Sequence, residues 1–296
     1  MPLAYPSLKF RPSSVVSYWR LGAPVTSGRW YNIFRAAPKL AVNPKRFDYT
    51  LKLVNPDLDA ERQGFAIDRL GREALATEQL EHPNVIRLLD AELDRPPFFL
   101  VQPWVYGRSL DRMLSAERHA PVNRILWTIR QIAEGLRAAH DHGRVYLGLE
   151  PSHVILGKTG RVTLLGWSQC HQAGERAWFP NDQLQTARYT APECFSANYI
   201  AHSASDVYSL GALIYHLFAM KPHIHAQSIE ELIEKQMEAI PEDLIVRQPD
   251  CPPGLSALVK QMLATDIALR PTFREVLNEL IGIEINHLSD QSSIRL

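Results

Sequence analysis

The sequence predicts an α+β chain in two parts, a small β-rich part with one helix and then a larger helical part. Three observations lead there. Aromatic and β-branched runs bounded by Gly, Pro and Asn dominate residues 18–102. From residue 108 onward, apolar residues recur at three- and four-residue steps, the spacing of a buried helix face. Between them in importance is GRVYLGLEPSHVILGKTGRVTLLGWSQ (143–169), in which the apolar runs VIL and VTLLGW flank a GKTG turn. That is the pattern of a β-hairpin beneath a loop.

The elements follow in chain order. Residues 1–17, with three prolines in MPLAYPSLKFRPSS, read as a flexible tail. RWYNIFRA (29–36) and FDYTLKLV (47–54) read as strands. GREALATEQL (71–80) has Ala76 and Leu80 four apart with Leu75 beside them, a helical spacing that stops before His82-Pro83-Asn84. NVIRLLDAEL and PPFFLVQ follow as two more strands, and QPWVYG (102–107) joins the parts. Four helices then carry buried faces: Ile125, Ile129, Ile132, Leu136 and Ala139; Val207, Leu210, Leu213, Ile214 and Leu217; Leu255, Leu258, Val259, Met262 and Leu263; and Phe273, Val276, Leu277 and Leu280. Gly282 is expected to close the last of them, leaving 286–296 as a C-terminal tail. The spacing shows no internal repeat.

Composition narrows the function. Lys+Arg and Asp+Glu both total 32, so the formal net charge is zero, and neither a nucleic-acid partner nor an anionic membrane is expected. Cys170, Cys194 and Cys251 are odd in number and widely spaced, matching neither a disulfide framework nor a metal cluster and suiting a reducing compartment. The N-terminus lacks the apolar core of a secretory signal, and VYSLGALIYHLFAM (207–220) is too short and too polar for a membrane span. The expectation is a soluble, cytoplasmic protein.

The order of short motifs resembles the eukaryotic-type protein kinase family over residues 18–285. EALATEQLEHPNVIRLLD is similar to the C-helix and fourth strand, LVQPWVYGRSL to the hinge, and RYTAPE to the end of the activation segment. SDVYSLGALIYHLF is similar to the central helix of the large lobe, and LRPT to the segment before the last helix. The resemblance implies a small N-lobe with one C-helix (18–102), a hinge (103–107) and a helical C-lobe (108–285). It places Lys52 where the family holds the α- and β-phosphates of ATP, and Glu73 where the C-helix partner of that lysine sits. It places Glu193 and Arg270 as a buried ion pair, and Asp206 as the cap of the catalytic-loop backbone. An adenine slot would be walled by Ile33, Thr50 and Ile155, with Gln102 as gatekeeper and backbone groups of residues 103–105 as hinge contacts. Pro103 contributes no N–H there.

At the catalytic positions the chain departs from the family. The His-Arg-Asp motif falls on Tyr146-Leu147-Gly148, the catalytic-loop lysine on Glu150 and the metal-binding asparagine on His153. The Asp-Phe-Gly motif falls on Gly166-Trp167-Ser168, and the glycine-rich loop on TSGRWY (26–31) with Gly28 alone kept. Phosphoryl transfer of this kind needs one carboxylate to orient the nucleophile and another to hold Mg²⁺. Gly148 and Gly166 supply neither. Each lost electrostatic contribution typically costs about 2.7–4 kcal/mol of barrier. Tyr146 and Trp167 are expected as an aromatic strut where the family stacks a histidine on a phenylalanine.

Other residues keep two readings at this stage. Lys52 with Glu73 either holds a phosphate or fixes the C-helix. His153 as a metal ligand lacks a second ligand nearby in sequence. Glu150 is the nearest replacement acid, but a carboxylate there repels phosphate. Trp30 or Tyr31 could fold into the cleft, whereas Arg29 could meet a phosphate without metal. His202, His216, His223 and His225 read as surface and helix-end residues. The sequence thus predicts a catalytically inactive kinase-like protein, a pseudokinase in signalling, that binds another protein as scaffold or allosteric partner. No metal is expected, and any ATP binding would be weak and independent of Mg²⁺, through Gly28, Ile33, Thr50, Lys52, Glu73 and Ile155. Two alternatives stand beside it. One is an ATP-dependent kinase or other group transferase with non-standard ligands such as Glu175 or Asp182. The other is a nucleotide sensor acting through Lys52.

Overall fold

The computed structural model describes residues 12–43, 45–116, 119–177, 184–238 and 242–293. The chain divides into two compact units, one running to Glu81 and including Ile86–Val105, the other comprising His82–Val85 and Tyr106 onward.

The N-terminal unit is a six-stranded antiparallel sheet with one long helix. Its strands are β1 (Val15–Val16), β2 (Trp19–Ser27), β3 (Tyr31–Pro38), β4 (Tyr49–Val54), β5 (Asp90–Glu92) and β6 (Phe99–Pro103), in the order β1-β2-β3-β4-β6-β5. Alternation decides the faces. Phe34 and Ala36 on β3, Leu51 and Leu53 on β4, and Phe99 and Val101 on β6 form one core with Val16 and Leu21. Ile33, Thr50 and Lys52 occupy the opposite, half-buried face, with Ile33 directly across from Lys52. Against Val54 and Leu100 packs α1 (Ala60–Gln79), through Ala66 and Leu70.

Three expectations change here. The tail assigned to 1–17 joins the sheet by residue 13, because Ser13 N–H donates to Leu21 O and Val16 is 1% exposed in the core; residues 1–11 lie outside the described residues. Helix α1 starts eleven residues before the segment 71–80, where the Asp59 carboxylate caps Arg62 N–H at 2.9 Å. Of NVIRLLDAEL only Asp90–Glu92 is strand. Its first residues belong to the other unit, because the buried Asn84 amide donates to Gln131 Oε1 and Val162 O, and Leu164 N–H donates to Asn84 O.

The C-terminal unit is mainly helical. Strand β7 (Arg108–Ser109) leads into α2 (Leu110–Leu114) and α3 (Val122–Asp141), followed by β8 (Arg144–Val145). The hairpin read from the sequence is β9 (Val154–Leu156) and β10 (Val162–Leu164), paired antiparallel with Leu156 opposite Val162. After β11 (His171–Gln172) come α4 (Leu184–Ala187), α5 (Ser203–Ala219), α6 (Ile229–Glu238), α7 (Leu244–Arg247), α8 (Pro253–Met262) and α9 (Phe273–Ser293). Helix α3 packs on α5 and α9, and α5 on α8, along the four predicted faces. Gly282 does not end α9. Ile283 is buried three residues after Leu280 and continues the stripe, so residues 286–293 are helix rather than tail.

Among the described residues, no helix is long and apolar enough to cross a membrane. Cys170, Cys194 and Cys251 are buried and form no disulfide with one another. Burial pushes the Cys251 thiol up to about 12, which removes thiolate reactivity at neutral pH.

Candidate functional site

The N-terminal unit gathers four of the expected binding residues on one sheet face and its helix. Lys52 Nζ lies 2.6 Å from Glu73 Oε2, and Glu73 is 2% exposed. A ring also covers the same ammonium. Tyr31, which occupies the place of the third glycine in the would-be glycine-rich turn, places its ring centroid 4.3 Å from Lys52 Nζ. The Tyr31 hydroxyl donates to Ala66 O on α1 at 2.9 Å, and burial raises its pKa, so it stays a donor. Strand β3 thus holds a bulky ring against the lysine where a glycine would leave room for phosphate. Trp30 packs on Phe65 of α1 at 5.1 Å, and the Arg29 guanidinium stacks over Trp30 at 4.7 Å. Gly28 closes the turn by donating to Tyr31 O at 2.8 Å.

The hinge-equivalent backbone is partly engaged. Pro103 has no N–H, and Trp104 N–H donates to Asp48 O at 2.7 Å. Gln102 sits opposite Thr50, 7% exposed, and its Nε2 has no partner. Such a buried donor calls for a water or ligand acceptor.

The C-terminal unit holds Ile155 on β9 and the loop 146–153 that precedes it. Gly166 adopts φ 72°, ψ 42°, in the left-handed region. A Cβ added there would meet the His153 imidazole at 2.5–2.6 Å. That ring is pinned, with Nδ1 2.7 Å from Gly148 O and Nε2 3.7 Å from Glu150 Oε1. A Cβ on Gly148 would in turn meet Gly166 O at 2.9 Å. A side chain at either glycine would therefore have to displace a neighbouring group. At the metal-holding positions stand one imidazole already bonded to backbone and one residue with no side chain. Among the described residues no three His, Cys, Asp or Glu side chains gather to hold a metal. Those groups do not fit Mg²⁺, which takes carboxylate oxygens in near-octahedral geometry.

Glu150 accepts a hydrogen bond from Ser152 and opens on a pocket of about 590 Å³ lined by Asp111, Thr186, Arg188, Tyr189 and His216. Burial works to raise its carboxyl pKa, but His153 and the Ser152 and Thr186 hydroxyls outweigh burial and hold it below the ordinary carboxylate range. A carboxylate so stabilised is a poor general base at neutral pH. Of the alternative metal ligands, Glu175 accepts Gln172 N–H at 2.9 Å, and Asp182 lies outside the described residues.

The structural positions are intact. Asp206, fully buried, accepts Tyr146 N–H at 2.8 Å and Leu147 N–H at 2.7 Å, with His140 Nε2 at 2.7 Å. Leu147 is thereby held at φ 57°. Tyr146 and Trp167, both 0% exposed, pack tilted at 51° with ring centroids 4.4 Å apart. The Tyr146 hydroxyl donates to Leu165 O, and Trp167 Nε1 donates to Leu164 O at 3.2 Å.

Two of the four histidines read as surface and helix-end residues, His216 in the last turn of α5 and His223 four residues beyond that helix, are half-buried. His216 Nδ1 is 2.6 Å from the Tyr189 hydroxyl, and His223 Nε2 is 2.9 Å from that of Tyr208. Aromatic neighbours dictate this, since α5 places Tyr208 and Tyr215 against His223. Burial lowers both imidazoles from 6.5 to about 4, helped by Arg188 at His216 and by His216 at His223. Their folded pKa values lie below the unfolded ones, so the unfolded chain binds more protons between those limits. Stability from this pair is complete above about pH 6.5 and is lost as pH falls toward 4. His216→Asn with His223→Asn is expected to flatten the melting-temperature profile over that window, measured beside the parent chain. An unchanged slope would show that both rings titrate normally.

The sequence matches the protein kinase domain family over residues 40–280, and the chain belongs to that family. Serine/threonine-protein kinase ULK3 of Xenopus laevis is 25% identical over 233 residues, covering 77% of this chain and 48% of that protein. Serine/threonine-protein kinase pkn2 of Myxococcus xanthus is 29% identical over 248 residues, covering 81% of this chain and 29% of that protein. A probable serine/threonine-protein kinase, PknB, of Lactococcus lactis is 24% identical over 213 residues, 72% of this chain and 34% of that protein. The chain thus spans less than half the length of these relatives.

Proposed function

We propose that this kinase-family chain is catalytically inactive and acts by binding another protein, as a scaffold or allosteric partner. The observation that carries the reading is the mutual packing of Gly148, His153 and Gly166. No carboxylate stands at either position that the chemistry needs, and none can enter without displacing a pinned ring or a backbone carbonyl. Phosphoryl transfer depends almost wholly on positioning and charge neutralisation, so losing both groups removes the mechanism. What survives is the framework: the Asp206 cap, the Tyr146–Trp167 aromatic contact and the Glu193–Arg270 pair. A scaffold needs the framework alone.

A residual nucleotide function is the second reading, favoured by the unpartnered Gln102 amide and the kept Lys52. Tyr31 and Glu73 compete for that lysine, and His153 and Gly166 stand at the two positions where the family holds metal. Each lost interaction of about 1.4 kcal/mol weakens binding tenfold. ATP binding is therefore expected to be weak and insensitive to Mg²⁺. Calorimetry with ATP in EDTA and then in excess Mg²⁺ tests this. Absent heat supports the scaffold and equal weak binding the sensor. Tight binding only with Mg²⁺ would move a transferase with ligands outside these motifs to first place.

A further inference from the structure

The GKTG turn that marks the sequence has a use that the kinase resemblance leaves unexplained. It forms one wall of a pocket of about 590 Å³ in the C-terminal unit, with Tyr106, Arg108, Met113, Arg124, Leu156 and Lys158 around it. Three of those side chains are cations, and among the described residues no acid lines the pocket. Among the described residues, none of the three forms an ion pair. That is unusual for this chain, whose charges balance and whose other arginines mostly stack or pair.

The walls are firm. β7 pairs with β9, putting Arg108 opposite Leu156. Gly107 lies so close to β9 that an added Cβ would meet Leu156 O at 2.5 Å. In the turn, Gly157 N–H donates to Arg161 O at 2.9 Å, Gly160 N–H to Gly157 O at 3.0 Å, and Gln131 Nε2 to Gly160 O at 2.9 Å. Lys158 therefore projects from a fixed turn rather than a loose loop. Met113 and Leu156 are half-buried, while Tyr106 is 61% exposed at the rim.

We propose that this pocket is a docking site for an acidic peptide segment of a partner protein. Carboxylate or phosphoryl oxygens would meet Arg108, Arg124 and Lys158, and a neighbouring apolar side chain would enter against Met113 and Leu156. Charge complementarity selects this occupant. A flat anionic membrane suits a broad basic face, whereas these cations ring a concavity with an apolar floor. Nucleic acid requires a wider basic footprint than a net-neutral chain with one three-cation pocket provides. The inference supplies a partner chemistry to the scaffold reading and rests on it for its use. Binding is read directly, so its failure leaves the absence of turnover untouched.

Fluorescence anisotropy tests it with three short fluorescein-labelled peptides that share a leucine core. They are flanked by glutamates, by phosphoserines or by lysines. The glutamate or the phosphoserine peptide, or both, should bind in the micromolar range, and whichever is tighter identifies the anion source. Binding should weaken as salt rises, because exposed charges are screened over about 8 Å at physiological ionic strength. Arg108→Glu with Lys158→Glu should weaken it by at least about tenfold at an unchanged melting temperature. The proposal is overturned if the lysine peptide binds as well, if charge reversal leaves affinity unchanged, or if neither acidic peptide binds. Capture of the chain by phosphatidylserine vesicles, lost on the same reversal while both acidic peptides fail, would overturn it in favour of a membrane.

Discussion

Arg270→Ala is expected to be the most damaging single substitution in the C-terminal unit. The Arg270 side chain is fully buried and grips Glu193 with both nitrogens, Nη1–Oε1 at 2.7 Å and Nη2–Oε2 at 2.9 Å. It also donates to Ala264 O, Ala204 O and Thr265 O, and lies 5.0 Å from the Tyr208 ring. Ser205 Oγ donates to the same carboxylate at 2.6 Å. Removing the arginine strands Glu193 and three carbonyls together. Breaking a buried pair in this way costs about 3–5 kcal/mol. For a domain of this size that lowers the melting temperature on the order of ten degrees. Arg270→Lys should recover little, because an ammonium cannot make the two-pronged contact. Calorimetric or fluorescence melting reads the effect, and a neutral Arg270→Ala would mean that the pair is not buried as described.

The second large effect comes from trying to restore the missing acid. Gly166→Asp places a Cβ at φ 72° and 2.5–2.6 Å from the His153 ring. Moving the ring aside breaks the 2.7 Å hydrogen bond between its Nδ1 and Gly148 O. Overpacking of about 1–3 kcal/mol is the main cost, since aspartate tolerates the left-handed region better than most residues. The substitution should therefore destabilise the fold by about that much and bring no kinase activity. His153→Ala in the same chain should recover part of the loss, a coupling of about 0.5–3 kcal/mol in a double-mutant cycle. Strict additivity would mean that His153 does not fill the space.

The frame of the fold was legible because periodicity and punctuation carry it. The four C-terminal helix faces, the VIL and VTL strands and the stop before His82-Pro83 all follow from apolar spacing and turn residues. Elements that run against local preference were harder to see. Strand β2 contains Gly22 and Pro24 and shifts register twice, and the first turns of α1 read as AERQGF with few apolar positions. The site was legible as a set of absences: the sequence shows glycine at 148 and 166. It does not show that His153 fills the vacated space or that Tyr31 covers Lys52. Both are contacts between residues distant in sequence. The half-burial of His216 and His223 was hidden for the same reason, since the tyrosines that hold them lie 8 to 27 residues away.

The central claim is absence of phosphoryl transfer, and one assay addresses it most directly. The chain is incubated with radiolabelled ATP, Mg²⁺ or Mn²⁺ and generic protein substrates, beside a Lys52→Ala control that lacks the surviving phosphate-position cation. With no carboxylate at residue 148 or 166, the predicted result is label at the level of that control under every condition. Clear labelling of substrate or of the chain itself, abolished by Lys52→Ala, would contradict the claim.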